Sequence, residues 1–410
     1  ITIPQDGLPA HITLVSGDGQ SGTVGQPVAD SLIVRVTDSK DRPVKDQLVG
    51  FVMTAGGTVG LLIPDTLMTD ADGRARALWQ LGEVAGAQKV EARVVARGHP
   101  GTLAAEFTAT AAAEVADTMI RLLGDGQLGV VNSTLAEPLV VVVTDEYLNP
   151  VAGQVVTWAV PTGQGSVSAG SVTTGSDGRA AVTRTLGPGS GTQTATATVA
   201  GLKGSPVRFT STASSGGVVR LVKLFGDSPV QSAPAGQRLT DSLVVQAQDA
   251  NGNGVPGQAV VWVVTTSSGG SFSGGTNTTD AQGKAFVFWT LSLTAGSNTL
   301  TAAIAGLPQV QFTATGTAAQ AARIAVQGTP STSGTAGLPV SVPPAVRVTD
   351  INNNPVQGVT VTFQVTVGGG SVSENGTISG PTATVATGTT GIASLASWTL
   401  GAVAGANAVT

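Results

Sequence analysis

The chain has 410 residues, of which 41% are hydrophobic and 11% are charged, and it contains 56 Gly and 21 Pro. This balance is too apolar for a disordered chain, and the net charge of -5 offers no basic stripe to a nucleic acid, so both classes are excluded. No apolar run is long enough to span a bilayer, and the absence of Cys excludes disulfides and thiolate metal sites while leaving the cellular compartment open.

One pattern recurs four times along the chain. An Asp closes a Val-rich run, a Val follows six residues later, and an aromatic residue follows thirteen residues later. The four sets are Asp38 with Val44 and Phe51, Asp145 with Val151 and Trp158, Asp249 with Val255 and Trp262, and Asp350 with Val356 and Phe363. These anchor aspartates lie 107, 104 and 101 residues apart, which is the length of one small all-β domain.

The spacing predicts four tandem domains. We place them at residues 1–113, 114–214, 215–318 and 319–410, and we expect the fourth to stop before its last strand. The linkers are short and small or polar, which favours an extended rod over a globular cluster.

Two strands of each repeat can be read directly from the apolar pattern. The run before the anchor Asp alternates with period two, which predicts a half-buried strand with one inward face. That face holds Leu32, Val34 and Val36, then Leu139, Val141 and Val143, then Leu243, Val245 and Ala247, then Pro344, Val346 and Val348. The aromatic residue of each set lies at the centre of a second strand, and we expect it to fill the core between two sheets.

Turns are predicted at equivalent positions in the four repeats. The segment from each anchor Asp to its Val is rich in Asp, Asn, Gly and Pro, and the residue types predict a connection rather than a site. A later turn ends at Gly73, Gly178, Gly283 and Gly391. A Leu follows after eight residues at Leu81, Leu186 and Leu291 and after nine at Leu400, which indicates a bulge or longer turn in the fourth repeat. The first three repeats close on a Phe-Thr-x-Thr strand that begins at Phe107, Phe209 and Phe312.

One segment of the first repeat has the composition of a helix. Residues 83–97 are rich in good helix formers. The matching segment of the third repeat, residues 294–304, is rich in Thr and favours a strand. We therefore predict a strand at both places.

The order of these motifs resembles a known family. Val-Val-x-Val-x-Asp, a Gly-Asn-x-Val-x-Gly turn, the aromatic strand, Thr-Asp-x-x-Gly-x-Ala and Ala-Gly-x-Asn-x-Leu-Thr-Ala are similar to the bacterial Ig-like domains of the invasin and intimin type, called Big-1. Residues 243–315 fit best, and the resemblance covers nearly the whole chain. It implies an all-β fold of tandem Ig-like β-sandwiches that serve as spacers in surface adhesins and other secreted proteins, with recognition in a terminal domain that this chain does not show.

Two glycine-rich segments match G-x-G-x-x-G. They begin at Gly17 and Gly124, and both follow a strand. A dinucleotide site also needs a helix N-terminus aimed at the pyrophosphate, whereas another strand follows here. We interpret both segments as turns and predict no cofactor.

Calcium is the metal for which the sequence offers candidate ligands. Asp70 and Asp72 resemble the opening of a calcium loop, but the other repeats have lost one or both carboxylates. Asp18, Asp125 and Asp227 recur near each first strand, where the fourth repeat has Thr329, and weak calcium binding at the junctions is an alternative to solvated turns. Our prediction is no metal site.

Catalysis has little support in the sequence. His11 and His99 are the only histidines, and neither lies in a nucleophile motif. We therefore predict a non-catalytic stalk or filament segment of an extracellular bacterial surface protein, with an accessory spacer of a large secreted enzyme or of a phage tail structure as the alternative. The expected partners are neighbouring Ig-like domains or other copies of the chain, and a surface receptor or glycan through regions outside this segment, with no nucleic acid and no membrane insertion.

Two expectations concern the fourth repeat. The stretch from Gly370 to Gly391 is longer than its counterparts, and we expect the extra residues to be an expendable loop. The repeat ends at Thr410, the counterpart of Thr301, without a Phe-Thr-x-Thr strand, so we expect the polypeptide to continue. The alternative is that a strand of another subunit completes the sheet, although the N-terminal Ile1-Thr-Ile-Pro4 is short and Pro4 lacks a donor.

Overall fold

The structure is a computed structural model that describes residues 7–56, 60–95, 103–266, 269–377 and 379–410. The described residues form 35 strands and no helix. By contacts the chain divides into two compact units, Ile1–Ser214 and Ser215–Thr410, and each holds two of the sequence repeats.

The first repeat is a sandwich of two sheets. Strands in the order β1-β3-β7-β5 form one sheet, and strands in the order β2-β9-β8-β4-β6 form the other. This is the A-B-E-D and G-F-C arrangement of immunoglobulin domains, with a first strand that is divided between the two sheets. The strands are β1 (His11–Ser16), β2 (Gln20–Thr23), β3 (Leu32–Thr37), β4 (Leu48–Ala55), β5 (Leu61–Ile63), β6 (Thr66–Met68), β7 (Arg74–Gln80), β8 (Gly86–Val94) and β9 (Ala104–Ala112).

The second repeat has the same plan. Strands β10-β12-β16 form one sheet, β14 pairs with β17 beside it, and β11-β19-β18-β13-β15 form the other sheet. The strands are β10 (Thr118–Leu123), β11 (Gln127–Val130), β12 (Leu139–Thr144), β13 (Val155–Ala159), β14 (Gly165–Val167), β15 (Ser171–Thr173), β16 (Arg179–Val182), β17 (Arg184–Leu186), β18 (Gly191–Thr198) and β19 (Val207–Ser214).

The third repeat is the simplest of the four. Its two sheets have the orders β20-β22-β25-β24 and β21-β27-β26-β23. The strands are β20 (Arg220–Phe225), β21 (Gln231–Pro234), β22 (Leu243–Gln248), β23 (Val261–Val264), β24 (Ser271–Gly275), β25 (Lys284–Thr290), β26 (Gly296–Ala303) and β27 (Val310–Thr317). As in the first two repeats, the short second strand runs parallel to the last strand.

The fourth repeat repeats the early part of this plan. Its sheets have the orders β28-β29-β33 and β32-β30-β35, and β31 pairs with β34. The strands are β28 (Arg323–Val326), β29 (Ala345–Thr349), β30 (Thr360–Val367), β31 (Ser371–Ser373), β32 (Thr382–Ala386), β33 (Ile392–Ser394), β34 (Ser397–Thr399) and β35 (Ala408–Val409). Strand β35 pairs with β30 as β8 pairs with β4, and residues up to Thr410 include no counterpart of β9.

The inward faces lie where the sequence predicts them. Leu32, Val34 and Val36 are fully buried, as are most of their counterparts in the other repeats, while Pro344 precedes β29 and is half-buried. The aromatic plugs are between 2% and 5% exposed, at Phe51, Trp158, Trp262 and Phe363. In the first three repeats each plug contacts the Phe of the last strand, with ring centroids 5.7 to 6.5 Å apart.

A second buried aromatic position was not anticipated. Trp79, Trp289 and Trp398 lie at most 9% exposed in the strands that follow the later turns. The second repeat has Arg184 at this position, and its guanidinium is also buried at 1% exposure. Arg184 donates to the backbone carbonyls of Gln164, Ser166 and Thr185, and burial lowers the pKa of the guanidinium.

The ambiguous segments resolve in favour of strands. Strand β8 occupies Gly86–Val94 and β26 occupies Gly296–Ala303, so the prediction of strands over helix is confirmed. Strand pairing overrides the local helix propensity here, because β8 and β26 each pair along their length with the last strand of their repeat. The extra residue before Leu400 falls where β33 and β34 are interrupted, as a bulge or longer turn predicts.

The long segment of the fourth repeat is partly integrated into the sandwich. Val372 and Gly380 exchange backbone hydrogen bonds of 2.8 and 3.1 Å, and the Val365 amide donates to Pro381 at 2.8 Å. The expectation of a wholly expendable loop is therefore wrong for Gly380 and Pro381, because they continue the edge strand β32. Residues 374–377 and 379 form the protruding part.

Candidate functional site: the repeat junctions

The segment from each anchor Asp to its Val forms the same tight turn in all four repeats, which we call the anchor turn (residues 38–44, 145–151, 249–255 and 350–356). Each anchor Asp is at most 1% exposed. Its Oδ1 accepts the backbone N–H groups of the residues two and four positions later, at 2.8 to 3.0 Å. The carboxylate thus takes the place of a strand partner and sets the shape of the turn.

The anchor turn is packed against the later turn of the same repeat. A buried Thr four residues before the Gly of the later turn donates its hydroxyl to the carbonyl of the Val that ends the anchor turn, as Thr174 does to Val151 at 2.8 Å. The equivalent bonds are Thr69 to Val44, Thr279 to Val255 and Thr387 to Val356. Gly178 has a φ of 69°, and a Cβ there would lie 2.6 Å from the carbonyl of Val143, so only Gly fits.

Asn149, the fifth residue of the second anchor turn, joins the first two repeats. Its Nδ2 donates to Asp145 Oδ2 at 2.9 Å and to the carbonyl of Glu83 at 2.8 Å. Its Oδ1 accepts the backbone N–H of Ala85 at 2.8 Å. The amide therefore pairs in both directions with the β7–β8 loop of the preceding repeat, and Tyr147 of the same turn packs against the core of that repeat.

The same bridge occurs between the third and fourth repeats. Asn354 Nδ2 donates to Asp350 Oδ2 at 2.9 Å and to the carbonyl of Leu293 at 2.8 Å, and its Oδ1 accepts the N–H of Ala295 at 2.8 Å. Asn149 and Asn354 are only 6% and 4% exposed. Two junctions built from different neighbouring residues thus have one hydrogen-bond pattern.

The second oxygen of the anchor carboxylate binds the linker. Asp145 Oδ2 accepts the N–H of Glu114, Asp249 Oδ2 that of Gly216, and Asp350 Oδ2 that of Ala319, at 2.9 to 3.0 Å. Each acceptor therefore fixes the segment that leads into its own repeat.

Burial and hydrogen bonding act in opposite directions on the pKa of three anchor carboxylates, Asp38, Asp249 and Asp350. Burial opposes ionisation of Asp249 and Asp350, but the side-chain amide at the fifth position and the surrounding backbone N–H groups lower the pKa of both. Asp38 has Arg42 instead of an amide. Burial raises its pKa, and the N–H groups of Lys40 and Arg42 together with the Arg42 guanidinium lower it, with the net pKa at about 2.

An amide side chain of each repeat shapes the loop before the strand that holds it, and this amide is buried in the first three repeats and half-buried in the fourth. Gln88 Oε1 accepts the N–H of Gly82 at 2.8 Å, and its Nε2 donates to the carbonyl of Val84 at 2.8 Å. The counterparts accept in the same way: Gln193 from Gly187, Asn298 from Ser292 and Asn407 from Gly401. Each of these loops is thus held in shape by its own repeat, including the two loops that Asn149 and Asn354 contact.

The glycine-rich candidates are turns. Gly17 and Gly124 have φ near 95°, and the segments lead into β2 and β11. Asp70 Oδ1 is occupied by the backbone N–H groups of Asp72 and Arg74, as Asp280 Oδ1 is by those of Gln282 and Lys284.

The junction aspartates of the calcium hypothesis serve their own repeats. Asp18 Oδ1 accepts the N–H and hydroxyl of Thr108, and Asp125 Oδ1 accepts those of Thr210. Asp227 pairs with Lys223 at 2.6 Å, and Thr329 is exposed. Within the described ranges, no group of three or more His, Asp or Glu residues is placed to hold a metal ion.

Of the two histidines, His11 is the one that lies among the described residues. His11 is exposed in β1, and His99 lies outside the described residues, as does the N-terminal Ile1-Thr-Ile-Pro4. The search of the described residues for a helix long and apolar enough to cross a membrane finds none.

The residues that form the junctions were visible in the sequence but were interpreted only as turn formers. Asn149, Asn253 and Asn354 share the fifth position of the anchor turn. The amides that shape the loops follow the Gly of the later turn by 15 residues, or by 16 in the fourth repeat, at Gln88, Gln193, Asn298 and Asn407. A polar residue at a fixed distance inside an apolar strand was the signal that could have identified them.

Comparison with known proteins gives structural neighbours and no sequence relatives. No family model matches the sequence, and no curated protein matches it. The Escherichia coli adhesin FdeC is similar over 77% of this chain and 99% of its own, with 20% identity and a TM-score of 0.44. Invasin, described as a bacterial integrin-binding protein, is similar over 94% and 74%, with 16% identity and a TM-score of 0.43. Yersinia pseudotuberculosis InvD is similar over 72% and 81%, with 18% identity and a TM-score of 0.40.

These identities are below 25% and the TM-scores are below 0.5, so the assignment of fold rests on the strands and sheets described above. Both sheets of the first repeat follow immunoglobulin order, and the other repeats follow the first. The chain is an all-β protein of tandem Ig-like β-sandwiches, the fold that its resemblance to domains of the invasin and intimin type implies.

Proposed function

We propose that the chain is a non-catalytic structural segment of an extracellular bacterial surface protein, in which four Ig-like domains act as a spacer. The domains comprise residues 1–113, 114–214, 215–318 and 319–410. Recognition of a receptor or glycan belongs to regions outside this segment, and no cofactor or metal takes part in its function.

The repeated junction carries this proposal. A spacer has to hold each domain in a defined position relative to the next one. A flexible linker of a few small residues does not do this by itself. Asn149 and Asn354 each make two hydrogen bonds to the preceding repeat, and Asp145 and Asp350 each hold the linker. The linker bonds have charged acceptors, which make stronger hydrogen bonds than neutral ones, so these two junctions are held both at the linker and at the loop of the preceding repeat.

A surface cavity of the first repeat does not support a different function. One surface cavity of the first repeat is lined by His11, Arg35, Thr37 and Asp41. The cavity holds one histidine and one carboxylate with no nucleophile and base in contact, which is not a catalytic arrangement. Function must be argued from a site, and the repeated polar site in this chain is the junction.

A stand-off assay tests the spacer role. The chain is displayed on bacteria through an added C-terminal membrane anchor, with an epitope tag before Ile1, and antibody access to the tag is measured in capsulated and non-capsulated cells. Deleting residues 114–318 joins the first repeat to the fourth and should reduce access in capsulated cells only. Equal access after the deletion would contradict a spacer role.

The matched control in this assay replaces rather than removes domains. Substituting residues 114–214 with a second copy of residues 215–318 keeps the number of repeats and should preserve access. Loss of access with that variant would show that the identity of the repeat matters, which a spacer does not require.

A further inference from the structure

The anchor turn of the third repeat differs from the others in one covalent respect. Asn149 and Asn354 are followed by Pro150 and Pro355, whereas Asn253 is followed by Gly254. The side-chain bond is the same in all three turns, since each amide Nδ2 lies 2.9 Å from the Oδ2 of its anchor Asp. The turns differ in the residue after the Asn, and this residue determines whether a backbone N–H lies next to the side-chain amide.

The backbone N–H of Gly254 is not part of the repeated hydrogen-bond pattern. Pro43, Pro150 and Pro355 occupy its position in the other repeats, and Pro has no N–H to donate. The local pairing is nevertheless the same, because Gln248 pairs with Gly254 as Thr144 pairs with Pro150. The fold therefore has no use for a donor here, which leaves the Gly254 nitrogen available as a nucleophile.

We propose that Asn253 is a site of spontaneous deamidation, and that its conversion opens the anchor turn of the third repeat. The Gly254 nitrogen attacks Cγ of Asn253, and a C–N bond forms to close a five-membered succinimide. The side-chain nitrogen leaves as ammonia and carries away the proton lost from Gly254. Water then opens the ring to aspartate or isoaspartate, so the net reaction consumes one water and releases one ammonia.

The product is incompatible with the native turn. Asn253 Nδ2 donates to Asp249 Oδ2 at 2.9 Å, and Asp249 is 1% exposed. Deamidation replaces that donor with a carboxylate oxygen, so two like charges face each other where one hydrogen bond was. Asp249 Oδ2 also holds the N–H of Gly216 at 2.9 Å, so the linker into the third repeat is released together with the turn.

Asn251 provides a contrast within the same turn. It is also followed by Gly, and its side chain is exposed. The N–H of Gly252, however, donates to the carbonyl of Asp249 at 3.1 Å as part of the turn. Its nucleophile is therefore engaged in the native state.

Peptide mapping by mass spectrometry tests the chemistry on the intact chain. After incubation at mildly alkaline pH, the mass gain of deamidation should be found at Asn253 and should be absent at Asn149 and Asn354. The variant Pro150→Gly, which removes the ring carbons and introduces a backbone N–H, should make Asn149 labile as well. Deamidation confined to Asn251, or an Asn253 as stable as Asn149, would overturn the proposal.

A second measurement tests the structural consequence, which rests on the proposed role of the anchor turn. Hydrogen exchange at the Gly216 amide should accelerate in Asn253→Asp and remain at its original rate in Asn251→Asp. Unchanged exchange at Gly216 in Asn253→Asp would overturn this second part. Failure of the mapping experiment refutes the chemistry, whereas failure of the exchange experiment refutes the role of the turn, so the two are distinguishable.

Discussion

Single aromatic side chains hold the two sheets of each sandwich together. Trp262 is 5% exposed, and its ring centroid lies 6.2 Å from that of Phe312 on the last strand of the same repeat. Its neighbours on β23, Val261 and Val263, point the other way and are 58% and 46% exposed. Adjacent residues of one strand thus have opposite energetic roles.

Trp262→Ala should destabilise the third repeat by roughly 3 to 5 kcal/mol, because it leaves a cavity between the sheets. Urea unfolding followed by repeat-resolved hydrogen exchange measures the change. Val263→Ala on the same strand is the control and should have a small effect. Equal destabilisation of all four repeats would mean that they unfold as one cooperative unit.

Arg184 shows how a buried charge is accommodated at a position where the other repeats have Trp. Its guanidinium has backbone carbonyls as partners, among them Ser166 at 3.1 Å. The planar fork of Arg suits several acceptors at once, which explains why the charge is tolerated at 1% exposure.

Arg184→Met should destabilise the second repeat by at least about 1 to 3 kcal/mol, because buried carbonyls lose their donor. Chemical unfolding of the variant measures the loss. Arg179→Met, in the adjacent strand and largely exposed, is the matched control. A neutral result for Arg184→Met would indicate that water replaces the guanidinium.

At the scale of elements, the anchor turn has two separable tasks. Its backbone N–H groups close the turn around Asp350 Oδ1, and the side chain of Asn354 reaches the preceding repeat. Asn352 contributes its backbone N–H to the first task. A side-chain substitution at Asn352 leaves the backbone donors of the turn in place, so it serves as the control for a substitution of the bridging side chain of Asn354.

Asn354→Ala should cost the junction about 1 to 3 kcal/mol, because the N–H of Ala295 and the carbonyl of Leu293 lose their partner. Faster hydrogen exchange at Ala295 is the expected signal. Asn352→Ala should leave that amide protected. An unchanged Ala295 in Asn354→Ala would show that the bridge is not what orders the loop.

The inserted segment of the fourth repeat also divides into two parts. Replacing residues 374–378 with Asn-Gly, a good hairpin turn, should leave the free energy of unfolding within about 1 kcal/mol. Deleting residues 374–381 also removes the hydrogen bonds of Gly380 and Pro381, each worth about 0.5 to 1.5 kcal/mol. Thermal unfolding of the two variants should therefore differ, and equal stabilities would contradict the pairing of Gly380.

The elements show what sequence reasoning can and cannot supply. Period two located Leu32, Val34 and Val36 because burial of one sheet face imposes that period. The bridging role of Asn149 was not predicted, because its partners are backbone atoms of Glu83 and Ala85, more than sixty residues away. Backbone acceptors leave no residue preference to read, so a turn residue and a bridging residue look alike in the sequence. The burial of Arg184 could not be predicted for the same reason, since its partners are backbone carbonyls.

At the scale of the whole molecule, three of the anchor carboxylates are expected to make stability depend on pH. The pKa of Asp38, Asp249 and Asp350 is lowered in the folded chain, to about 2 for Asp38. A lowered folded pKa means that the stabilisation is fully present above the unfolded Asp pKa of about 3.9 and is lost as pH falls through the folded value.

Urea midpoints should thus be similar at pH 7 and pH 5 and should fall between pH 4 and pH 2 as these carboxylates gain protons. Asp350→Asn should lower stability at pH 7 and weaken the acid dependence of the fourth repeat. Asp241→Asn, an exposed carboxylate, is the control. A midpoint that rises on acidification would contradict the direction assigned to these pKa values.

The bridging side chains of Asn149 and Asn354 also favour one order of assembly. The atoms that Asn149 contacts belong to residues 83–85, whose loop is already held in shape by Gln88, and all of them leave the ribosome before Asn149 does. Asn354 likewise meets a loop that Asn298 has already ordered. The first and third repeats are therefore templates on which the second and fourth repeats place their anchor turns as they are synthesised, so within each pair synthesis from the N-terminus and assembly proceed in the same order.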